Sequence, residues 1–299
     1  MKAVRQSWMF ATVAGVALLV AAGVASAVDV TDADRVFRNY TRETATVGEN
    51  RIRLEVRGLK EETDDTARLN LAGQHLPGCA VGQPGCFKDL DAGIIDLVGS
   101  YGLGKNAEVG FILPGLIRSL RVTQDIVDTQ GNVTHTSTVQ NDADLGDIQL
   151  YTKFKRQVAQ HCAVGAGVEL SLPNGSRGKG FGTGEFGVNP FASTRYQRGP
   201  VAVGGNVGYQ IYTGDVPDVF NYGTELILRW SEEYALRTEL AGRLFKEHSR
   251  QGNRYHDLTI LPGIDVNVSN NLVVRPTGLV GVSPSAADWG IGVGVAVIF

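Results

Sequence analysis

The chain has 299 residues, 43% of them hydrophobic and 20% charged, with 38 glycines and a formal net charge of −3. Disordered chains carry fewer apolar residues, and a helical membrane protein needs several apolar runs of ~20 residues where this chain has one, so both classes drop out. The near balance of 28 basic and 31 acidic residues leaves no basic footprint for nucleic acid, which is excluded as a partner. Glycine is far above its usual ~7% and follows no collagen repeat, which points to strands and turns.

The first 27 residues read as an export signal. Lys2 and Arg5 form a positive start, residues 9–24 are nearly all apolar, and Ala25-Ser26-Ala27 is a small-x-small cleavage site. Removing this segment leaves 26 basic against 31 acidic residues, a net of −5. Residues 28–49 form a charged leader, expected as a periplasmic tail or a plug in a lumen. In an oxidising compartment Cys79 and Cys86, in CAVGQPGC, are candidates for a local disulfide. A metal site is the weaker reading because no histidine-cysteine cluster accompanies them. Cys162 is left as an inert thiol.

From residue 50 onward, twelve segments of about ten residues place apolar side chains at every second position, separated by turn residues. The first, 51–59, sets Ile52, Leu54 and Val56 against Arg51, Arg53, Glu55 and Arg57. The second and third, 93–101 and 107–113, flank the turn 102–106. The fourth alternates Ile148, Leu150, Thr152 and Phe154 with Asp147, Gln149, Tyr151, Lys153 and Lys155. The fifth covers 164–172, the sixth and seventh (188–196 and 201–212) meet at 197–200, and the eighth and ninth (222–230 and 234–244) meet at 231–233. The tenth and eleventh, 258–268 and 272–282, meet at 269–271, and the twelfth is 289–299. Stretches 60–91 and 114–146 are expected as long polar loops, and the glycine-rich 175–187 as a mobile external loop.

Short turns alternating with long loops are the mark of a transmembrane antiparallel β-barrel, with the turns periplasmic and the loops extracellular. In hydrocarbon every unpaired backbone N–H or C=O costs several kcal/mol, so a sheet can span the membrane only by closing on itself. Ten residues at ~3.3 Å rise and ~40° tilt cover about 25 Å, the height of the apolar band. The polar face must then point inward. That parity nominates as lumen-lining the basic residues Arg51, Arg53, Arg57, Lys153, Lys155, Arg195, Arg229, Arg237, Arg243 and Arg275. The acidic set is Glu55, Asp96, Glu108, Asp147, Glu169, Glu225, Glu239 and Asp265. Tyr101, Phe154, Tyr196, Trp230, Tyr234 and Phe299 fall on the outward parity at the short-turn ends, an aromatic girdle against outer-membrane lipid; Tyr222 and Trp289 would begin the opposite belt.

The last segment, WGIGVGVAVIF, alternates large apolar with small residues and ends in Phe299, resembling the assembly signal that the barrel-assembly machinery reads in bacterial outer-membrane proteins. The stretches YGLGKNAEVGFILP, DLGDIQLYTKFK, GTGEFGVNPFASTRYQRGPVAVGGNVGYQIY and DVFNYGTELIL resemble the family of outer-membrane transporters named for the meta-pathway of phenol degradation. The resemblance runs from about residue 50 to the end and implies a barrel passing small-molecule solutes, aromatic or hydrophobic compounds among them. It carries over no binding residue.

Two other functions compete with transport. A non-transporting structural or surface barrel would fill its interior with paired charges. An outer-membrane hydrolase would need a nucleophile and base, for which His248-Ser249 and nearby His256 are the candidates; adjacent residues on a strand point apart, which argues against them. No phosphate loop, cofactor motif or metal constellation is found, so no cofactor and no catalytic residue is expected.

Overall fold

The computed structural model describes residues 48–63, 86–127, 133–176, 181–214, 216–245, 255–283 and 286–299. The export signal, nearly all of the leader, Cys79 and the His248-Ser249 pair lie outside the described residues. Among those described there are thirteen strands: β1 (Ile52–Thr63), β2 (Cys86–Gly104), β3 (Ala107–Val127), β4 (Val133–Leu145), β5 (Gln149–Ala159), β6 (Cys162–Ser171) and β7 (Gly187–Arg198). They continue as β8 (Val201–Tyr212), β9 (Val219–Arg229), β10 (Tyr234–Phe245), β11 (Tyr255–Ser269), β12 (Leu272–Gly281) and β13 (Trp289–Ile298).

All neighbours in the sheet are antiparallel. β1 pairs with β2 on one side and with β13 on the other, from Arg53 opposite Ile298 to Glu62 opposite Trp289. The ring therefore closes through twelve strands, β1 to β3 and β5 to β13, with β4 outside it. Closure leaves no open edge in the ring, the condition that a membrane-spanning sheet must meet. Reciprocal bonds finish the seam: Ile52 N–H donates to the Phe299 carbonyl at 3.2 Å and Phe299 N–H to the Ile52 carbonyl at 2.8 Å.

The two stretches expected as long loops are partly strand. β1 runs on to Thr63 and β2 begins at Cys86, so the described ends of 60–91 are paired sheet. Residues 114–146 form a hairpin instead of a loop: β3 continues to Val127 and returns as β4, in register from Gly115 opposite Leu145 to Val127 opposite Val133. β3 changes partner at Pro114. Below it, residues 107 to 112 pair with β5; above it, residues 115 to 127 pair with β4. A residue without an N–H suits a place where the ladder is handed from one strand to another. The outer half of β3, with β4 and the start of β2, thus rises past the point where β5 begins.

Burial along the strands is inverted relative to a soluble sandwich. Ile291 and Trp230 are each 60% exposed, and Val207, Ile211, Leu226, Leu236, Ile264 and Val280 are exposed with them. Arg237, Arg275, Lys153, Glu55, Glu108 and Glu239 rank among the most buried side chains. Side chains alternate across a strand, so one parity carries the greasy surface and the other the ionic interior. An exposed apolar belt of this extent is unfavourable in water and is satisfied by hydrocarbon.

Candidate lumen and its mouth

On the inner face of β1, Glu55 sits between two guanidiniums, with Arg53 Nη2 3.2 Å from Oε2 and Arg57 Nε donating to Oε1 at 2.7 Å. Two residues along a strand return to the same face, which is why the triplet needs no turn to assemble. A second cluster spans β10 to β12. Arg275 Nε donates to Asp265 Oδ1 at 2.6 Å, Arg237 Nη2 lies 3.5 Å from the same oxygen, and Arg237 Nη1 is 2.8 Å from Glu239 Oε1. Arg57 and Arg275 both face Gly294 of β13 from either side. The small inner parity of β13, Gly290 to Ala296, leaves room between the clusters. Together they form an ionic ladder over neighbouring strands, largely shut off from water.

Two strands on from β1, Glu108 and Lys153 stand directly opposite in the β3–β5 ladder, Nζ 3.7 Å from Oε2, and the Tyr151 hydroxyl donates to Glu108 Oε1 at 3.0 Å. This buried pair lies in a seam where β3 and β5 share only the span from Ala107 opposite Phe154 to Ile112 opposite Gln149. Glu169, Arg195 and Glu225 are buried on the inner parity of β6, β7 and β9, and Lys155 and Arg229 are half-buried on theirs. Asp96 faces Arg57 in the β1–β2 register. Arg51 is half-buried at the short-turn end.

Two candidates differ from the expectation. Arg243 is paired with Asp257, its Nε donating to Oδ2 at 2.9 Å, but its side chain is 53% exposed at the long-loop mouth. Asp147 is not part of the charge ladder. It lies in the break before β5 and holds the β6–β7 connection: Gly175 N–H donates to Oδ1 at 2.9 Å, and the Thr183 N–H and hydroxyl both donate to Oδ2 at 2.7 Å. Gly182 is required there, since a Cβ would stand 2.4 Å from Asp147 Oδ1. The Ser176 hydroxyl donates to Asp144 at 2.7 Å, and Ile148 N–H to Asn174 Oδ1 at 2.8 Å. Phe181, 4% exposed, packs under the Arg118 guanidinium with its ring centroid 4.6 Å from Cζ. The described parts of the segment expected to be mobile are therefore fastened to the mouth by backbone and side chain.

Charge alone did not nominate all the inner residues. Tyr151, Phe191, Asn189, Ser193, Asn206 and Gln210 are also buried on the inner parity, as is Arg118, in the stretch 114–146 that was expected to be a loop. Phe191 lies over Gly167, where a Cβ would meet the ring at 2.4 Å.

The girdle residues lie where the alternation put them. Tyr101, Phe154, Tyr196, Trp230 and Tyr234 are exposed at the short-turn end, Trp230 stacking on Tyr234 with centroids 6.1 Å apart, while Phe299 is half-buried beside the closing seam. Trp289 is exposed at the opposite end, and the Tyr222 hydroxyl hydrogen-bonds His256 on the outer face, stacked with it at 5.9 Å. That partner takes His256 away from any role as a base facing the interior. No group of three or more His, Cys, Asp or Glu able to hold a metal occurs among the described residues. Cys162 is a free thiol at the start of β6 and Cys86 begins β2.

The solved structures similar to this chain include the COG4313 outer membrane channel from Pseudomonas putida F1, at 15% identity and a TM-score of 0.57, covering 91% of this chain and all of that one. The NanC porin (11%, TM-score 0.49, 82% and 98% covered) and the toluene transporter TbuX of Ralstonia pickettii (8%, 0.41, 84% and 89%) are more distant. No curated protein sequence matches the chain. The first of these likenesses agrees with the closed ring and inverted burial, and the fold is that of a barrel of the cell outer membrane. Residues 100–299 match the family described as "Putative MetA-pathway of phenol degradation", two thirds of the chain, and the protein belongs to that family.

Proposed function

We propose that the protein is an outer-membrane channel for small solutes and not an enzyme. The observation that carries this reading is the inner face itself: a closed twelve-strand ring lined throughout by buried charged and neutral polar side chains, with the apolar side chains outside. Eight-stranded barrels are filled by side chains and sixteen-stranded ones hold open water channels, so a ring of this size passes solute according to what its lining leaves open. The described inner face holds few aromatic rings, Tyr151, Phe181, Phe191 and Tyr212 among them, beside many hydrogen-bonding groups. That lining favours polar solutes over the hydrocarbon ligands named for some distant neighbours.

The test is conductance. The folded chain in planar bilayers should give discrete single-channel steps in KCl, and its proteoliposomes should swell in small neutral solutes. Folded, heat-modifiable protein giving neither would overturn the reading. One observation favours the rival, a filled structural barrel: the described parts of the β6–β7 connection are fastened to the inner wall at the mouth through Asp147, with Phe181 buried beneath Arg118. Under that rival, releasing the segment with Asp147→Ala would produce conductance that the native chain lacks; under the channel reading both conduct.

A further inference from the structure

Charge is not spread evenly along the inner face. With Arg243 and Asp147 set aside at the mouth, nine basic and seven acidic residues of the lumen set remain below it. The clusters around Glu55, Glu108 and Asp265 bring each carboxylate against one or two cations. Arg51, Lys155, Arg195 and Arg229 are not members of those pairs. They lie toward the short-turn end, on or beside β1, β5, β7 and β9.

The strand register shows what stands beside them. Lys153 has its counter-ion, Glu108, as direct neighbour in the β3–β5 ladder. The four cations nearer the turns have small residues in the equivalent places. Lys155 is opposite Gly165, Arg195 lies between Ala163 and Gly204, Arg229 is opposite Ala235, and the Arg51 carbonyl accepts the N–H of Gly102. Opposite charges on facing strands attract across about 5 Å, and this end of the wall sets glycine or alanine where such carboxylates would stand. The Arg195 guanidinium donates to the neutral Gln197 Oε1 at 3.3 Å. Glu169 and Glu225 stand further up β6 and β9, and Glu232 and Glu233 of the β9–β10 turn are exposed to water, where screening is strongest. Arg51, Lys155 and Arg229 are half-buried on the inner parity, so part of each is open to the lumen.

Resting on the channel reading, we infer that these four cations form an anion-selecting collar at the short-turn end of the lumen, which passes small solutes bearing a carboxylate or phosphate in preference to cations. Fixed cations around a passage walled by low dielectric raise the local concentration of anions and repel cations. Three of the four are arginines, whose planar forks match a carboxylate or phosphate with two parallel hydrogen bonds. Glycine and alanine on the neighbouring strands leave room for the long side chains to turn toward a passing solute. A neutral solute gains nothing from the excess charge.

The test is the zero-current potential of the full chain in planar bilayers under a KCl gradient of about tenfold. Chloride should permeate about twofold or more over potassium at low salt, and the preference should shrink as added salt screens the collar. Arg195→Gln/Arg229→Gln and, separately, Lys155→Gln should move the ratio toward parity, while Arg229→Lys keeps it; heat-modifiable mobility checks that each variant has closed its barrel. Inorganic phosphate, titrated at fixed KCl, should reduce the single-channel current saturably, with glucose as a neutral probe showing no such block. The double variant should raise the half-blocking phosphate concentration about tenfold, as expected for the loss of a hydrogen bond to a charged group. Potassium preference or none in the native chain, a ratio unaltered in both neutralised variants, or phosphate and glucose acting alike would each overturn the inference while the KCl steps stand. Absence of KCl steps from folded protein would overturn the channel reading and this inference with it.

Discussion

Replacing Lys153 by methionine keeps the length of the side chain and removes its charge, leaving the Glu108 carboxylate buried, with the Tyr151 hydroxyl still donating to it. At 3.7 Å the pair attracts by about 4.5 kcal/mol at an effective dielectric of ~20. Removing one partner of a buried pair costs about 3–5 kcal/mol because the other is left uncompensated. The site makes the loss consequential, since it falls in the short β3–β5 seam on which ring closure depends. The double variant Lys153→Met/Glu108→Gln removes both charges and should unfold within about 1 kcal/mol of the native chain. The assay is urea unfolding of the refolded barrel in phospholipid vesicles. Trp230 and Trp289, at opposite girdles, report by fluorescence, and gel mobility with and without heating reports closure. A single variant within about 1 kcal/mol of native, or a cycle showing no coupling between the two substitutions, would refute the reasoning.

Two further outcomes follow from the same geometry. Asp147→Ala removes the acceptor of three hydrogen bonds at 2.7 to 2.9 Å, each to a charged group and worth about 1.5–3 kcal/mol, so the 172–186 connection should open. Trypsin cleavage at Arg177 or Lys179 should then accelerate at least tenfold while the heat-modifiable barrel persists; unchanged cleavage would show that Asp147 is not the fastening. In vesicles of brominated lipid, Trp230 and Trp289 should both be quenched more strongly by bromine near the headgroups than near the chain ends, because they are exposed at the two belts. Equal quenching at both depths would contradict their placement.

Where lipid acts on the chain, the sequence was legible. Each ring strand touches hydrocarbon on one face, which enforces strict alternation, so β5 to β13 were readable nearly to their ends and the girdle followed from parity at the turns. β4 reads VTHTSTVQNDADL with no apolar stripe, because it pairs with the outer half of β3 outside the closed ring. Asp147 shares the parity of Lys153, yet it precedes β5, and its bonds to Gly175 and Thr183 are contacts across nearly thirty residues or more that no local pattern encodes. Selecting inner residues by charge found the ionic ladder and passed over the neutral inner residues Asn189, Gln210 and Phe191, which share its parity and burial.

The central claim is that one parity meets lipid and the other the barrel interior. Spin labels placed singly at Val207, Ile264, Asn206 and Asp265, with the three cysteines replaced by serine, test it in vesicles by collision with oxygen and with a water-soluble nickel chelate. Labels at Val207 and Ile264 should collide mainly with oxygen, and those at Asn206 and Asp265 should lose that preference. Oxygen preference at Asn206 and Asp265, or none at Val207 and Ile264, would contradict the account.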